Sequence, residues 1–159
     1  MNKAAKVSDS LYETDYFLWL EKQAIAIRKR DVGGLDWDNL LEELEYLGRE
    51  QVNAVNSLLK QIIIHRLKLD YTSEIYSRHH WKCEINAFID DLEDKLTNAI
   101  LNKVDQKKPY TRARRAVLEQ YSVNLPQNCP YSLDELMTYM EVNDYLSLSV
   151  NLVIKSSKL

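Results

Sequence analysis

Apolar residues recur at helical spacing along most of this chain, and the rhythm changes only near its end. Between Thr14 and Arg30, residues Phe17, Leu20, Ala24 and Ile27 return in steps of three and four. At about 100° per residue such positions share one face of a helix. The segment therefore predicts a helix over 14–30. Thr14 suits the N-cap, Asp15 the positive helix start, and Arg28, Lys29 and Arg30 the negative end. Gly33 and Gly34 then supply a stop. A second repeat, Leu44, Leu47, Gln51, Val55, Leu58, Ile62, His65 and Leu69, predicts a long helix over 36–70 with Asp36 as its N-cap. At about 1.5 Å per residue it would extend about 50 Å, so a kink near Gly48 or an early end near His65 is to be looked for.

A third helix is predicted over 73–104, with Trp81, Ile85, Phe88, Leu92, Leu96 and Ala99 inward and Asp90, Asp91, Glu93 and Asp94 outward. Pro109 reads as a break. A shorter helix is predicted over 111–121, with Ala113, Val117 and Tyr121 inward. Pro126 and Pro130 bracket a loop. Ser132 and Glu135 form a capping box that opens a helix over 132–141. The tail 142–159 changes period: Leu146, Leu148, Val150, Leu152 and Ile154 alternate with mostly polar residues, as a strand does. A lone strand needs a partner edge, so this tail is expected to pair with another chain or stay irregular. Residues 1–9 are small and polar and read as disordered. The expectation is one all-α helical bundle over 10–141, built on the first three helices with two shorter ones packed across it.

Composition supports that class. With 159 residues there is room for one proper core, and three glycines and three prolines favour long helices over many turns. The net charge of −3 supplies no global basic field for nucleic acid or an anionic membrane. Cys83 and Cys129 form neither a zinc spacing nor a disulfide framework, which fits a reducing cytoplasm. No apolar run approaches the roughly 20 residues that span a bilayer, and no signal-peptide pattern is present. No cofactor is implied.

Three groups of residues are candidates for chemistry. Glu42 and Glu45 share a helix face and could chelate a cation, while Glu43 projects beside the apolar stripe. Acids at a helix start also complement its dipole and pair with cations, which is the commoner arrangement. His65 lies on the apolar face about 33 Å along the helix from Glu43, so its carboxylate partner must come from another helix, with Asp15 the candidate. Such an imidazole usually fills a core position and donates one hydrogen bond. Lys68, a turn beyond, completes a candidate polar cluster of Asp15, Glu42, Glu43, Glu45, His65 and Lys68. The third group is basic: Lys107, Lys108, Arg112, Arg114 and Arg115 could contact phosphates, or neutralise the acidic run before them. No phosphate-binding glycine loop, dinucleotide fingerprint, GxSxG or HExxH occurs.

Several segments together resemble a known bacterial family. They are Leu11 to Trp19, Asp36 with Asn39-Leu40-Leu41-Glu42-Glu43-Leu44-Glu45-Tyr46-Leu47-Gly48-Arg49, His65 to Lys68, Trp81 with Ile85, and Leu125 to Tyr131. Over residues 10–137 the chain is similar to the "domain of unknown function 29" family, abundant in cyanobacteria and proteobacteria. The resemblance implies an all-helical fold and a bacterial source, and no activity. It departs at Arg66, where relatives often carry leucine, and at Leu69, where they carry tryptophan. The stretch Asn86–Asp90 also lacks an arginine common in relatives. The leading functional expectation is a non-catalytic interaction module acting through an unidentified partner protein or as a homo-oligomer. Its rivals are an enzyme or ligand-binding bundle using the polar cluster and, third, a nucleic-acid-associated protein using the basic patch.

Overall fold

The computed structural model describes residues 11–142, and every regular element among them is helical. Residues 1–9 and all but the first residue of the expected strand-like tail lie outside the described residues. A helical turn at 11–14 precedes α1 (Tyr16–Lys29). A 3₁₀ turn (Val32–Gly34) leads to the long α2 (Trp37–Tyr71). There follow α3 (Arg78–Glu93), the single turn α4 (Asn98–Leu101), α5 (Lys107–Gln120) and the single turn α6 (Leu133–Leu136). The chain divides into two compact units, one up to Glu50 and one from Gln51 onward.

The first unit is an antiparallel helical hairpin. Asp15, not Thr14, caps α1: its carboxylate accepts from Leu18 N at 3.0 Å, satisfying an N–H that the helix start leaves open. The stop expected of Gly33 and Gly34 comes earlier, at Arg30. Its φ of 55° is left-handed, and its N–H reaches Ala26 and Ile27 carbonyls. The glycines instead shape the 3₁₀ turn, where a Cβ on Gly34 would meet Asp31 Oδ2 at 2.7 Å. Trp19 is fully buried and donates its indole N–H to Asp36 Oδ2 at 3.0 Å. Gln23 Oε1 accepts from Asp36 N at 2.9 Å, and Asn39 Nδ2 donates to Asp36 Oδ2 at 2.7 Å. Asp36 thus caps α2, as expected, and also ties it to α1.

The buried face of α1 is Trp19, Gln23 and Ala26. This corrects the expected inward stripe: Phe17, Leu20 and Ile27 are exposed. The first part of α2 differs likewise, with Leu44 and Leu47 exposed rather than inward. A hairpin seam this narrow is set by the one large ring able to both fill it and hydrogen-bond across it, so Trp19 overrides the better apolar periodicity beside it.

The second unit holds the main core. Val55, Leu59, Ile62, Ile63, Leu67 and Leu69 of α2 pack with Trp81, Ile85, Ile89 and Leu92 of α3 and with Tyr110, Ala113 and Val117 of α5. Leu125 and Leu136 close it. The core expected from the first three helices is therefore drawn from Val55 onward. α2 runs unbroken through Gly48 and His65. The predicted helix over 73–104 does not form as one piece. It starts at Arg78 and ends at Glu93, and α4 restarts behind Thr97, whose hydroxyl accepts from Ile100 N. Asp90, Asp91, Glu93 and Asp94 crowd the negative end of α3 with no basic residue in its last turn, which opposes continuation. Pro109 is no break. It lies in the first turn of α5, where a missing N–H costs nothing, so that helix begins at Lys107 instead of 111. The capping box at Ser132 and Glu135 forms, but α6 ends at Leu136, well before 141.

Side chains strap segment 125–140 to this core. Tyr110 Oη and Arg114 Nε donate to Pro126 O at 2.6 and 2.9 Å. Arg66 Nη2 donates to the Glu135 and Thr138 carbonyls at 2.8 and 2.7 Å, tying the end of α6 to α2. Asn86 grips Met140 at both backbone groups, at 2.7 and 3.0 Å. Tyr131 Oη donates to Asp70 at 2.7 Å and Tyr139 Oη to Asp90 at 2.5 Å.

The hairpin joint is testable. Asp36→Ala strands the Trp19 indole N–H and removes the cap of α2, and is expected to cost about 2 kcal/mol. Amide exchange in α1 should accelerate roughly thirty-fold. Unchanged α1 protection would show that the Trp19–Asp36 contact does not hold the hairpin.

Candidate functional site

The acidic start of α2 is occupied structurally. Glu43 accepts from Tyr12 Oη at 2.6 Å and from Tyr16 Oη at 2.7 Å. Those two bonds hold the Glu43 carboxyl below its ordinary range, and its own bond to Glu43 pushes the Tyr12 hydroxyl up to about 12. The rings of Tyr12, Tyr16 and Trp19 pack at 4.9–5.7 Å between centroids. Glu45 pairs with Arg49 at 3.7 Å across one turn, an exposed contact of little energetic weight. Glu42 is exposed. Asp15 is committed to its cap. Among the described residues, no group of three His, Cys, Asp or Glu side chains is arranged to hold a metal ion.

His65 finds its acid on α3. The ring is 8 % exposed, and its Nε2 lies 3.1 Å from Glu84 Oε2. His80, one turn before Glu84 on α3, approaches the same oxygen at 3.3 Å. Phe88 stacks on the His65 ring at 6.0 Å between centroids and 13°. His65 Nδ1 is buried with no hydrogen-bond partner among the described residues. A neutral ring protonated at Nε2 fits this best: the N–H goes to Glu84, and the orphan is a lone pair rather than a donor. Burial lowers the His65 pKa from its ordinary value, outweighing the attraction of Glu84, while Lys68 and His80 push the same way. Lys68 Nζ sits 5.5 Å from the Trp81 ring centroid and 5.8 Å from that of Tyr121, a cation between two aromatic faces.

The basic run divides. Arg114 is spent on the Leu125 and Pro126 carbonyls, and Arg115 faces Glu119 at 3.8 Å. Lys107 lines a separate shallow hollow with Leu101, Val104 and Leu133. Lys108 and Arg112, one turn apart on α5, line a cavity of about 190 Å³ together with Asn56 and Lys60 of α2.

Of the polar cluster expected from the sequence, His65 and Lys68 share one neighbourhood, while Asp15, Glu43 and Glu45 each have separate partners. Glu84 and His80 were not among the expected site residues. Their spacing of four on a helix was visible, but only packing of α3 on α2 brings His65 to the same carboxylate. Lys60 joins Lys108 and Arg112 for the same kind of reason, through α2 meeting α5.

The depressed His65 pKa carries a sign. The unfolded ring takes up its proton near pH 6.5, before the folded one does, so the unfolded state binds more protons in that window. Stability contributed above about pH 6.5 is therefore lost as pH falls below it. Proton NMR of the His65 ring should give a midpoint below about 6.5, and Glu84→Gln should lower it further. A wild-type midpoint at or above 6.5 would contradict the buried neutral ring.

The family model described as "Domain of unknown function DUF29" matches residues 11–140. No curated protein and no solved structure matches the chain. Among the described residues, no helix is long and apolar enough to cross a membrane.

Proposed function

The chain belongs to this family of unknown function, and from that premise we propose that it is a non-catalytic helical interaction module whose hairpin docks on a second copy of itself. The observation that carries the reading is the bare apolar face of the hairpin. On α1, Phe17, Leu20, Ala24 and Ile27 lie about 100° around from the Trp19–Gln23–Ala26 seam. On α2, Trp37, Leu41, Leu44 and Gly48 lie a similar angle, in the same sense, from Asp36 and Glu43. The pairs Tyr12–Glu43 and Trp19–Asp36 make the helices antiparallel. In an antiparallel pair, equal rotations in the same sense bring both stripes to one side.

Phe17, Ile27, Trp37, Leu41 and Leu44 are between 56 % and 71 % exposed, and Leu20 is 39 % exposed. Together these six leave on the order of 700 Å² of apolar side chain in water. Monomers seldom leave patches so large, and one partner in a standard interface contributes about 800 Å². Among the described residues the hairpin buries only Trp19, Gln23, Ala26 and Asp36 of its own, too little to stabilise two helices without a covering layer. A second hairpin supplies that layer and completes a four-helix bundle through one self-complementary face. Gly48 adds to this: among the described residues nothing lies within 4 Å of a Cβ placed there, so a partner backbone can come close at that point of the stripe.

Sedimentation equilibrium tests the reading. The full chain is expected to be a dimer, and Leu41→Glu with Leu44→Glu to make it monomeric with helix content unchanged, since both side chains are already exposed. A wild-type chain monomeric at about 100 µM would overturn it. So would a dimer that survives both substitutions, or one lost on removing residues 143–159.

A further inference from the structure

The sequence holds three histidines, and all three stand at one joint of the second unit. His79 and His80 lie in the first turn of α3, and His65 reaches the same helix from α2 through Glu84. Histidine is the side chain whose ordinary charge change falls between pH 5 and 8, so acidification within that range concentrates its new charge here.

The joint is ill suited to receive that charge. The start of a helix carries the positive end of its dipole, where added cations are unfavourable. Ser77 makes no side-chain cap, and no acid stands in the first turn of α3. Arg78 and Lys82 add cations, and Arg78 Nη1 donates to Leu69 O of α2 at 2.8 Å. Lys68 acts on His65 from α2 and is held between the Trp81 ring and the Tyr121 ring at the end of α5. The neighbouring acids already have partners. Glu84 Oε2 meets two imidazoles, His65 at 3.1 Å and His80 at 3.3 Å. Glu74 Oε1 accepts from Tyr76 N at 2.9 Å, and Asp70 Oδ2 accepts from Tyr131 Oη at 2.7 Å. His79 Nε2 has the Cys83 sulfur at 3.7 Å.

One carboxylate balances one added proton, not three. His65 is the worst placed of the three. Its second proton goes onto Nδ1, which is buried with no hydrogen-bond partner among the described residues. The closed joint would then hold an unpaired N–H and a charge taken out of water, both of which cost free energy. Separating the two helices returns both to solvent. The later turns of α3 are packed through Ile89 and Leu92 and carry no histidine, so nothing comparable acts on them.

We propose that this joint is an acid-operated catch. It is closed while the histidines are neutral and opens as pH falls from about 6.5 towards 5, releasing residues 72–84 from α2 while α5 and the later turns of α3 stay packed. Opening uncovers Trp81, which is buried when the catch is closed, a few positions along from Ile75 and Tyr76, which are already exposed. Acid thereby creates an apolar surface that is absent at neutral pH.

Amide exchange resolved by peptide decides this, on the full chain at about pH 7.5 and about pH 5.5, with the intrinsic pH dependence of exchange corrected for. At one pH unit below its ordinary value, a histidine that gains its proton only on opening favours the open state about tenfold. Peptides within 72–84 are therefore expected to lose about tenfold in protection, and those within 107–120 to keep theirs. His65→Gln retains a donor toward Glu84 and takes up no proton in this range. In that variant the loss should shrink to about twofold, whatever the substitution costs in protection at neutral pH. The His65→Gln/His79→Gln/His80→Gln triple variant should show no loss. Equal wild-type protection of 72–84 at the two pH values overturns the catch. So does a loss shared by 107–120, which is acid unfolding of the whole unit. A loss that survives in the triple variant assigns the effect to carboxylates and overturns it too.

Discussion

From Leu58 to Leu69, no residue of α2 is exposed, and this is the constraint around which the second unit is organised. A helix enclosed on all sides needs neighbours on all sides. α3 and α5 supply two of them, and the strap from Leu125 to Met140 helps to close the rest. The polar residues within that enclosed stretch must then be satisfied locally, because a polar group removed from water without a partner costs more than the same group paired. His65 meets Glu84, Arg66 meets the carbonyls at the end of α6, and Lys68 lies between Trp81 and Tyr121. Lys60 is the member of the series that faces a cavity instead of a partner.

The same helix behaves differently in its first third. There, among the described residues, α2 packs against α1, and the joint is polar as much as apolar: a buried carboxylate takes an indole N–H, an amide and a cap, and two tyrosines grip one glutamate. Hydrogen bonds of this kind fix register and approach angle while removing little apolar surface from water. The result is a hairpin that is well specified and poorly covered. In the proposed self-association, that uncovered face is the one a second copy completes.

Arg66, Asn86 and Asp90 all hold the strap, through Glu135, Thr138, Met140 and Tyr139.

Periodicity alone determined the helical class, the span of α2 to within a residue at each end, the capping box at Ser132 and the inward faces of α3 and α5. These follow from local propensity and from residues a few positions apart, which any stretch of sequence carries within itself. What it did not reveal were choices between competing local signals. Phe17, Leu20, Ala24 and Ile27 make a better stripe than Trp19, Gln23 and Ala26, yet the latter is buried, because Asp36 is there to receive the indole. The acidic end of α3 broke a helix that contains no glycine or proline at that point. Pro109 began a helix instead of ending one. The candidate sites divide in the same way. Residue types and spacings made His65 and the basic run visible, but Glu84 is nineteen positions from His65 and Lys60 forty-eight from Lys108. Which of two apolar faces is covered, and which distant side chain meets a charge, depends on the packing of one helix on another, and only the tertiary structure decided it.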